Sequence, residues 1–489
     1  MSKHVVVIGA GFAGLSAAAF MAQAGWQVTV LEKNATAGGR ARQLQAAGFT
    51  FDMGPSWYWM PDVFERYFAS FGKKVSDYYQ LTRLDPSYRV YWADGAADVP
   101  ASYEALKAWF ESLEPGSGTQ LDQYLKEAAH KYRIGMQSLV YKPGQSLTEF
   151  LDWEVISNTL RLDVFTSIKK HVGKFFKHSK LRQLMEFPVL FLGALPQDTP
   201  ALYSLMNYAD IKGGTWYPDG GMYRIVQAMQ SLAEELGVRF VFSEEVQEIV
   251  IDGAEAKKVI ATNNTYAADA VISGADYHFT EQNLLPATAR TYTEAYWQKR
   301  VLAPSCLIYY VGLNKKLPGV VHHSLFFDVP FEQHAAEIYA QPQWPHNPLF
   351  YLSVTSVTDA HVAPAGGENL FILIPIAAGL EDTEEKRASY FDAVVKRIER
   401  HTHTTVKEHI VFKQAYSLRN FEEDYHSFKG NAYGLANTLM QTAVLKPSCR
   451  SKKIRNLFYT GQLTVPGPGV PPSLISGEVV SRQVLKQFN

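Results

Sequence analysis

Cysteine is nearly absent from this chain of 489 residues, which holds only Cys306 and Cys449. Two cysteines provide neither the spacing of a metal site nor a disulfide framework, so we expect no metal and a reducing, cytoplasmic compartment. The net charge is only −1, so no overall field attracts the protein to nucleic acid, and no such partner is expected. No stretch approaches the roughly 18 apolar residues of a spanning helix, so any membrane contact is expected to be peripheral.

Familiar catalytic motifs are missing as well. The sequence contains no HExxH motif, no P-loop and no cysteine cluster, and no Ser/His/Asp arrangement stands out. Aromatic residues, in contrast, reach 13%, with 27 Tyr and 28 Phe. That content suits a site for a large apolar ligand, although a well-filled aromatic core explains it equally well.

The first thirty residues alternate strand and helix signals. Val5–Ile8 is a β-branched run typical of a buried parallel strand, and Leu15–Ala24 is Ala-rich with helical spacing. Gly25 is placed to end that helix, and Gln27–Leu31 alternates as a second strand. The pattern predicts the βαβ start of a parallel sheet.

Glycines at fixed offsets fill the turn between the first strand and the helix. Gly9 permits the tight turn, Gly11 lets the backbone approach a pyrophosphate, and Gly14 lets the helix pack closely on the strand. Glu32 ends the second strand, where a carboxylate accepts hydrogen bonds from ribose hydroxyls. Because that acid repels a 2′-phosphate, FAD and NAD remain as the candidate dinucleotides.

A second glycine pair favours FAD. Gly38, Gly39 and Arg40 follow Glu32 closely, and the sequence DMGP (52–55) comes after a short hairpin-like interval. Glycines and an arginine near the pyrophosphate suit a larger dinucleotide lying deep in the protein. A Gly-Gly turn with a surface arginine is the simpler structural alternative.

Later apolar runs are predicted to return to the same sheet. They are Val238–Phe242, which follows a helix at Met222–Leu236, Ala270–Ser273 and Leu457–Thr460. Between these runs lie segments that do not resemble strands of the first sheet. They are a helix-rich block at 100–190 and strand-like runs at Leu307–Gly312 and Leu370–Ile376. We therefore predict an α/β fold in which a discontinuous Rossmann-type FAD-binding domain (1–75, 215–295 and 440–489) is interleaved with an α+β substrate and membrane-contact domain (76–214 and 296–439).

Motifs along the whole chain resemble one family. GAGFAGL, LEKNATAGGRAR and FDMGPSWYWMP are similar to the opening of the phytoene desaturases, which belong to the amine oxidase-like flavoproteins. The similarity continues through Gly213–Met229, Ala303–Asn314, Thr358–Pro375 and Asn456–Gly477. The tryptophan-rich variant after Gly54 and Pro55 most resembles the bacterial phytoene desaturases of the carotenoid pathway.

The resemblance implies FAD as cofactor and assigns a contact to several residues. It places Gly38, Gly39 and Arg40 at the flavin side of the pyrophosphate, the Val246 backbone at the adenine, and Gly461 beneath the ribityl chain. The loop PGPGVP (466–471) would pass the isoalloxazine ring, before a helix at about Ser476–Lys486 whose N–H groups could face the flavin. Gln462 stands where many relatives carry Asp or Glu, and it can still bond a phosphate or ribityl oxygen. The predicted cofactor-binding residues are Gly9, Gly11, Phe12, Ala13, Gly14, Glu32, Lys33, Gly38, Gly39, Arg40, Gly54, Pro55, Ser56, Val246, Gly461, Gln462, Gly469, Val470 and Pro471.

The family resemblance implies desaturation of phytoene by hydride transfer to the flavin, which oxygen or a membrane quinone would reoxidise. A later carotenoid, such as a hydroxylated intermediate, is the alternative substrate for a desaturase, isomerase or oxidase. An amine oxidase or protoporphyrinogen oxidase would share the scaffold, and a non-enzymatic prenyl-binding chaperone is the alternative of another class. The catalytic base is not identified: His322 and His323 are interpreted as structural, and Glu149 and Asp152 as a solvated helix face.

A polyene substrate is expected to be collected from the inner face of the cell membrane. Residues 167–186 carry six basic side chains before the first acid, Glu186, and Ile168, Val172, Phe175 and Phe176 form one apolar stripe. A basic amphipathic helix could lie on an anionic membrane, and an ordinary surface helix packed on the core is the alternative. The apolar run Phe187–Gly193 is interpreted as core rather than tunnel.

Overall fold

The chain folds into a parallel sheet, a larger mixed sheet and the helices that cover them. The structure is a computed structural model that describes residues 2–150, 163, 165–192 and 195–488. Within these residues the strands are β1 (His4–Ile8), β2 (Gln27–Leu31), β3 (Gln43–Ala46), β4 (Phe49–Asp52), β5 (Leu81–Arg83), β6 (Tyr88–Trp92), β7 (Gly95–Val99), β8 (Trp216–Pro218), β9 (Arg239–Val241), β10 (Val246–Asp252), β11 (Glu255–Ala261), β12 (Thr265–Ala267), β13 (Ala270–Ser273), β14 (Ser305–Leu313), β15 (His323–Phe326), β16 (Phe350–Ser353), β17 (Glu368–Ile376), β18 (Ile410–Tyr416) and β19 (Leu457–Tyr459). The α-helices are α1 (Phe12–Gln23), α2 (Pro61–Ala69), α3 (Tyr103–Leu113), α4 (Ser117–Ile134), α5 (Ile168–Phe175), α6 (Ser179–Glu186), α7 (Leu205–Ile211), α8 (Tyr223–Glu235), α9 (Tyr277–Asn283), α10 (Glu294–Gln298), α11 (Phe331–Tyr339), α12 (Glu384–Thr402), α13 (Leu418–Tyr425) and α14 (Val470–Phe488).

The parallel sheet gathers strands from distant parts of the sequence. Its order is β19-β13-β1-β2-β9, and every neighbouring pair is parallel. β1 and β13 are almost wholly apolar and buried, as strands covered on both faces must be. The prediction that three later runs return to the first βαβ unit is therefore confirmed. The proposed domain boundaries stay a prediction.

Helix α1 lies between this sheet and the long helix α14. It begins at Phe12, earlier than the predicted Leu15, and Gly25 follows its end with a φ of +84°, as the cap prediction requires. A Cβ built on Gly477 of α14 would lie 2.5 Å from the carbonyl oxygen of Ala13, so a glycine is required where the two helices meet. The Ser16 hydroxyl donates to the Leu474 carbonyl at 2.7 Å and joins them further.

The start predicted for the last helix is wrong. Helix α14 begins at Val470 rather than at Ser476, so it includes Pro471 and Pro472 in its first turn. Proline is tolerated there because the first N–H groups of a helix have no partner within the helix. The two prolines were interpreted as part of a loop, although they are compatible with a helix start.

The mixed sheet forms the other half of the core. Its order is β18-β14-β17-β16-β15-β6-β7, with β14 and β17 paired antiparallel along their full length. All nine residues of β14 are buried, and Phe391, Val394 and Ile398 of α12 belong to the apolar cluster on one of its faces. The predicted strands at Leu307–Gly312 and Leu370–Ile376 are confirmed as the centres of β14 and β17.

The single amphipathic helix predicted for residues 167–186 is wrong. Two helices, α5 and α6, are separated at Phe176–His178, where the N–H groups of Lys177 and His178 both donate to Glu114 Oε2, at 2.9 and 2.7 Å. Ile168, Val172 and Phe176 are at most 1% exposed and belong to the main core cluster. The apolar stripe therefore packs inside the protein, whereas Lys170, Lys174 and Lys177 are exposed.

Other expectations have simple outcomes. Phe187 and Val189 are buried in the core, as predicted, while Gly193 and Asp152 lie outside the described residues. Glu149 does not sit on a solvated helix face; its carboxylate accepts hydrogen bonds from the backbone N–H groups of residues 144–146 and closes a turn. In the part of the chain that the structure describes, no helix has the length and apolar character needed to cross a bilayer.

Candidate cofactor and active site

A cavity of about 390 Å³ opens at the carboxyl end of the parallel sheet. The residues that follow β1, β2, β13 and β19 converge on it, which is where open α/β sheets bind their ligands. The cavity also brings together every residue predicted to bind the cofactor, namely Gly9, Gly11, Phe12, Ala13, Gly14, Glu32, Lys33, Gly38, Gly39, Arg40, Gly54, Pro55, Ser56, Val246, Gly461, Gln462, Gly469, Val470 and Pro471.

The glycine turn at the start of α1 has the shape that a pyrophosphate needs. Gly9 has a φ of +92°, and its N–H donates to the Leu31 carbonyl at 2.8 Å. A Cβ on Gly14 would lie 2.0 Å from the Gly9 carbonyl oxygen, so no larger residue fits there. A Cβ on Gly11 would meet nothing within 4 Å, and α1 has no side-chain cap. The open space at an uncapped helix N-terminus fits an anionic group.

The Glu32 carboxylate is fixed at the edge of the cavity. Its side chain is buried, and Oε2 accepts from the Ala10 N–H at 2.8 Å. Oε1 accepts from the backbone N–H and the side-chain amide of Asn34, both at 2.9 Å. These donors orient the carboxylate and leave acceptor capacity on its oxygens for a hydroxyl of the ligand.

Arg40 supplies a buried positive charge. Its Nη2 donates to Ser427 Oγ at 2.8 Å and to the Asn431 carbonyl at 3.2 Å, whereas Nε is buried without a hydrogen-bond partner. Asp276 also lines the cavity; burial raises the pKa of its carboxyl group, and the Arg40 charge opposes that rise. With its amide oriented to satisfy both atoms, Gln462 accepts from Arg40 Nη2 at 3.0 Å. An arginine with an unused buried donor fits a phosphate.

The residues assigned to the adenosine side lie near the start of β10. Val246 is buried there and lines the cavity. Lys33 donates to the Glu423 carbonyl at 2.7 Å and lies 3.8 Å from the Glu245 carboxylate. These contacts tie the Lys33 ammonium group to the protein, so its chain, rather than its charge, is free to contact a ligand.

The C-terminal loop reaches the cavity through two glycines with positive φ. Gly461 and Gly469 have φ values of +108° and +114°, and the Gly461 N–H donates to Ser476 Oγ at 3.0 Å. Because proline lacks an N–H, Val470 alone among the first three residues of α14 has one to offer. The predicted set of donors at this helix start is therefore reduced to one.

An apolar wall that the sequence analysis missed forms another part of the cavity. We call Trp57, Trp59, Met206, Tyr351 and Leu373 the aromatic wall. The Trp57 ring lies 5.1 Å from that of Trp59 and 5.6 Å from that of Tyr351, measured between centroids. None of these side chains is charged, so the wall suits a hydrocarbon.

Asp276 was also missed, although a signal existed. It comes three residues after β13, and the carboxyl-end rule that selected Glu32 selects it as well. Tyr351 had no such signal, because it lies within β16 and its side chain is one of several aromatic residues in that segment.

Comparisons with known proteins agree with this geometry. The family described as "Flavin containing amine oxidoreductase" matches residues 12–485. The chain is 41% identical to a carotenoid 3,4-desaturase of Haloarcula japonica, covering 99% of both proteins, and 31% identical to a zeta-carotene-forming phytoene desaturase of Myxococcus xanthus, covering 99% of this chain and 94% of that one.

A solved oxidoreductase of Methanosarcina mazei has the same fold, with a TM-score of 0.66 at 16% identity, over 98% of this chain and all of that one. The buried arginine, the uncapped helix N-terminus and the glycine turn fit the cofactor that the family shares. The chain therefore belongs to the flavin-containing amine oxidoreductases, in their carotenoid desaturase group, and is an FAD-dependent enzyme.

Proposed function

We propose that this enzyme introduces double bonds into a carotenoid, and that a later, already conjugated carotenoid is the first candidate substrate. The continuity of the aromatic wall with the dinucleotide cradle carries the proposal, because it would hold a polyene against the bound cofactor. The 41% identity to a carotenoid 3,4-desaturase favours the later substrate. Phytoene is the second candidate, supported by the 31% identity to a phytoene desaturase.

The glycine turn and the N-terminus of α1 would hold the FAD pyrophosphate, with Arg40 beside it. Glu32 would bind the adenosine ribose, and the Val246 backbone would meet the adenine. Gly461 would pass beneath the ribityl chain, and residues 469–471 would lie against the isoalloxazine ring. The flavin, when bound, supplies a two-electron acceptor for hydride.

The aromatic wall separates this proposal from amine oxidation. An amine substrate carries an ammonium group, which a buried site must pair with an acid or enclose in aromatic rings. The wall offers Trp57 and Trp59, but the carboxylates that line the cavity already bind backbone amides or pair with basic side chains of the protein. A hydrocarbon needs no such partner.

The function is tested by anaerobic incubation of the FAD-loaded enzyme with liposomes that contain phytoene or a hydroxylated, conjugated carotenoid. Loss of the visible flavin band with the conjugated carotenoid, together with a red shift of the polyene spectrum, is the expected result. Bleaching with phytoene alone would replace the first candidate by the second. Bleaching with neither would refute carotenoid desaturation.

The enzyme is also proposed to collect its substrate at an anionic membrane surface, and to pass its electrons to oxygen or to a membrane quinone. Lys170, Lys174 and Lys177 are exposed, and Phe165, just before α5, is 87% exposed. Lysines beside an exposed aromatic side chain suit the interface of an anionic bilayer. Residues 76–214 and 296–439 would form the domain that makes this contact.

Charge reversal tests the membrane contact. Changing Lys170, Lys174 and Lys177 to Glu is expected to release the protein from anionic vesicles in a sedimentation assay. The matched control changes Lys258, Lys396 and Lys486, which are exposed elsewhere, and alters the net charge by the same amount. Equal release by both variants would show that only net charge matters, and unchanged binding of the first would exclude α5.

A further inference from the structure

Two hydrogen-bonded pairs of side chains, joined by a contact between two imidazole rings, lead from the cavity to the protein surface. Tyr351 belongs to the aromatic wall, and its hydroxyl lies 2.6 Å from His323 Nδ1. The ring of His322 follows, with its centroid 4.4 Å from that of His323 and the ring planes at 73°. His322 Nδ1 then lies 2.7 Å from the hydroxyl of Thr358, a residue on the surface.

Two buried nitrogen atoms in this row lack a partner within the described part of the chain. They are Nε2 of His322 and Nε2 of His323, neither of which has a hydrogen bond there. Buried polar atoms are almost always paired, so two unpaired ones on neighbouring rings require an explanation. A packing role accounts for the rings, since Trp57 stacks on His323 with centroids 4.3 Å apart, but it does not account for these nitrogens.

The hydrogen bonds are compatible with complementary tautomers of the two histidines. If the Tyr351 hydroxyl donates to His323 Nδ1, the ring proton of His323 is on Nε2. If His322 Nδ1–H donates to Thr358, then Nε2 of His322 is a bare acceptor. Burial lowers the pKa of His322 to about 3 and that of His323 well below its usual value, so both rings are neutral at pH 7. One unpaired Nε2 thus carries a proton and the other a lone pair.

We propose that Tyr351, His323 and His322 carry the proton of the substrate from the cavity to solvent. The proposal rests on the proposed desaturation, in which two adjacent carbons each lose one hydrogen. One hydrogen leaves with both electrons of its bond, as hydride to the bound flavin. The other leaves as a proton, and its C–H electron pair becomes the new π bond.

The proton balance closes along the row. Tyr351 Oη takes the proton from carbon while its own proton passes to His323 Nδ1. The two Nε2 atoms are not hydrogen-bonded to each other, so a rotation of the rings must first bring them together. His323 then gives its Nε2 proton to Nε2 of His322, and the Nδ1 proton of His322 leaves through Thr358. Each group ends neutral, so no charge remains in an apolar cavity where an unpaired ion would be costly.

A phenol is a sufficient base for this step. Loss of hydride leaves a cationic polyene, and the neighbouring C–H bond becomes acidic. The protein need only accept the proton in a defined direction. Tyr351 is thus the catalytic residue, and the two histidines are positioning residues that act through it.

The test compares Tyr351→Phe with Tyr309→Phe, since Tyr309 is also buried but lies outside the cavity, where its hydroxyl donates to the Arg387 carbonyl. Flavin bleaching by the carotenoid is followed anaerobically in H2O and in D2O. We expect Tyr351→Phe to slow bleaching by a factor on the order of 10² or more and to abolish the solvent isotope effect. Tyr309→Phe should keep both the rate and the isotope effect, and His322→Gln should lose mainly the isotope effect.

A second readout does not depend on turnover. In ¹⁵N-histidine NMR spectra of the unreacted holoenzyme, His323 is expected as the Nε2–H tautomer and His322 as the Nδ1–H tautomer. FAD content and melting temperature establish that each variant is folded.

The opposite tautomers, or Tyr351→Phe with wild-type rate and isotope effect, would overturn the proton path. Failure of the wild-type enzyme to bleach with any carotenoid would instead refute the desaturase function. The proton path would then be refuted as well, whichever tautomers the NMR spectra show.

Discussion

Replacing Lys446 with methionine is expected to stabilise the protein, most strongly below neutral pH. The Lys446 side chain is buried, and its Nζ has no hydrogen-bond partner among the described residues. It lies at the tight loop before α14, where a Cβ on Gly467 would be 3.2 Å from Nζ and 3.1 Å from Asn437 Oδ1. Burial, with no opposing carboxylate in the described part of the chain, lowers the pKa of this amine from 10.5 to about 7.

The magnitude follows from this pKa difference. Between pH 7 and pH 10.5 the unfolded chain holds a proton that the folded chain has released, so the free energy of unfolding of the wild type rises with pH in this window. A difference of about 3.5 units corresponds to about 5 kcal/mol, at roughly 1.4 kcal/mol for each unit. Methionine has a similar length and no charge. Lys446→Met should therefore raise the free energy of unfolding by most of these roughly 5 kcal/mol below about pH 7, and by less than about 1 kcal/mol near pH 10.

Urea denaturation of the apoprotein at several pH values measures the difference, since bound FAD would add its own stabilisation. The control is Lys396→Met on the exposed face of α12, whose effect should be small at every pH. A Lys446→Met variant that is less stable than wild type at about pH 6, or a difference that does not change with pH, would refute the reasoning.

Three further variants and one treatment test other parts of the structure. Glu32→Gln removes a charged acceptor and should weaken FAD binding about 10- to 100-fold by titration calorimetry; an unchanged Kd would contradict the ribose assignment. Gly477→Ala should lower the free energy of unfolding by at least about 2 kcal/mol, because its Cβ would lie 2.5 Å from the Ala13 carbonyl oxygen. Gly173→Ala in the exposed part of α5 should instead raise it by up to about 1 kcal/mol, because alanine favours the helix and its Cβ has room. We expect no covalent bond between the flavin and Cys449, because burial raises the pKa of this thiol to about 11 and keeps it protonated. Acid precipitation should therefore release all flavin into the supernatant. Yellow protein in the pellet would contradict this.

The sequence predicted the parallel sheet and its cofactor cradle because both depend on local rules. Runs such as Val5–Ile8 and Ala270–Ser273 are apolar on both faces, which few structures other than a covered parallel strand require. Gly9 and Gly14 are glycines for steric reasons that the structure confirms, a positive φ and a 2.0 Å contact. Such constraints can be recognised from the residues alone.

The parts that the sequence did not predict depend on contacts between distant segments. Helices α5 and α6 are separate because Glu114, far away in the sequence, accepts the N–H groups of Lys177 and His178. The same tertiary packing buries the apolar stripe, as the alternative of a surface helix packed on the core requires. Tyr351 reaches the cavity only because β16 lies beside β17 in the mixed sheet, a pairing that no local pattern encodes.

The contact of α1 with α14 has a consequence for the order in which the protein matures. The first turn of α1 and the loop before α14 both line the cofactor cavity, yet almost the whole chain separates them in sequence. During synthesis, the N-terminal glycine turn leaves the ribosome long before Gly461 and Gly477 exist to cover it. A nascent chain therefore cannot enclose FAD until residues 461–477 have been made, so cofactor capture must follow the synthesis of both segments.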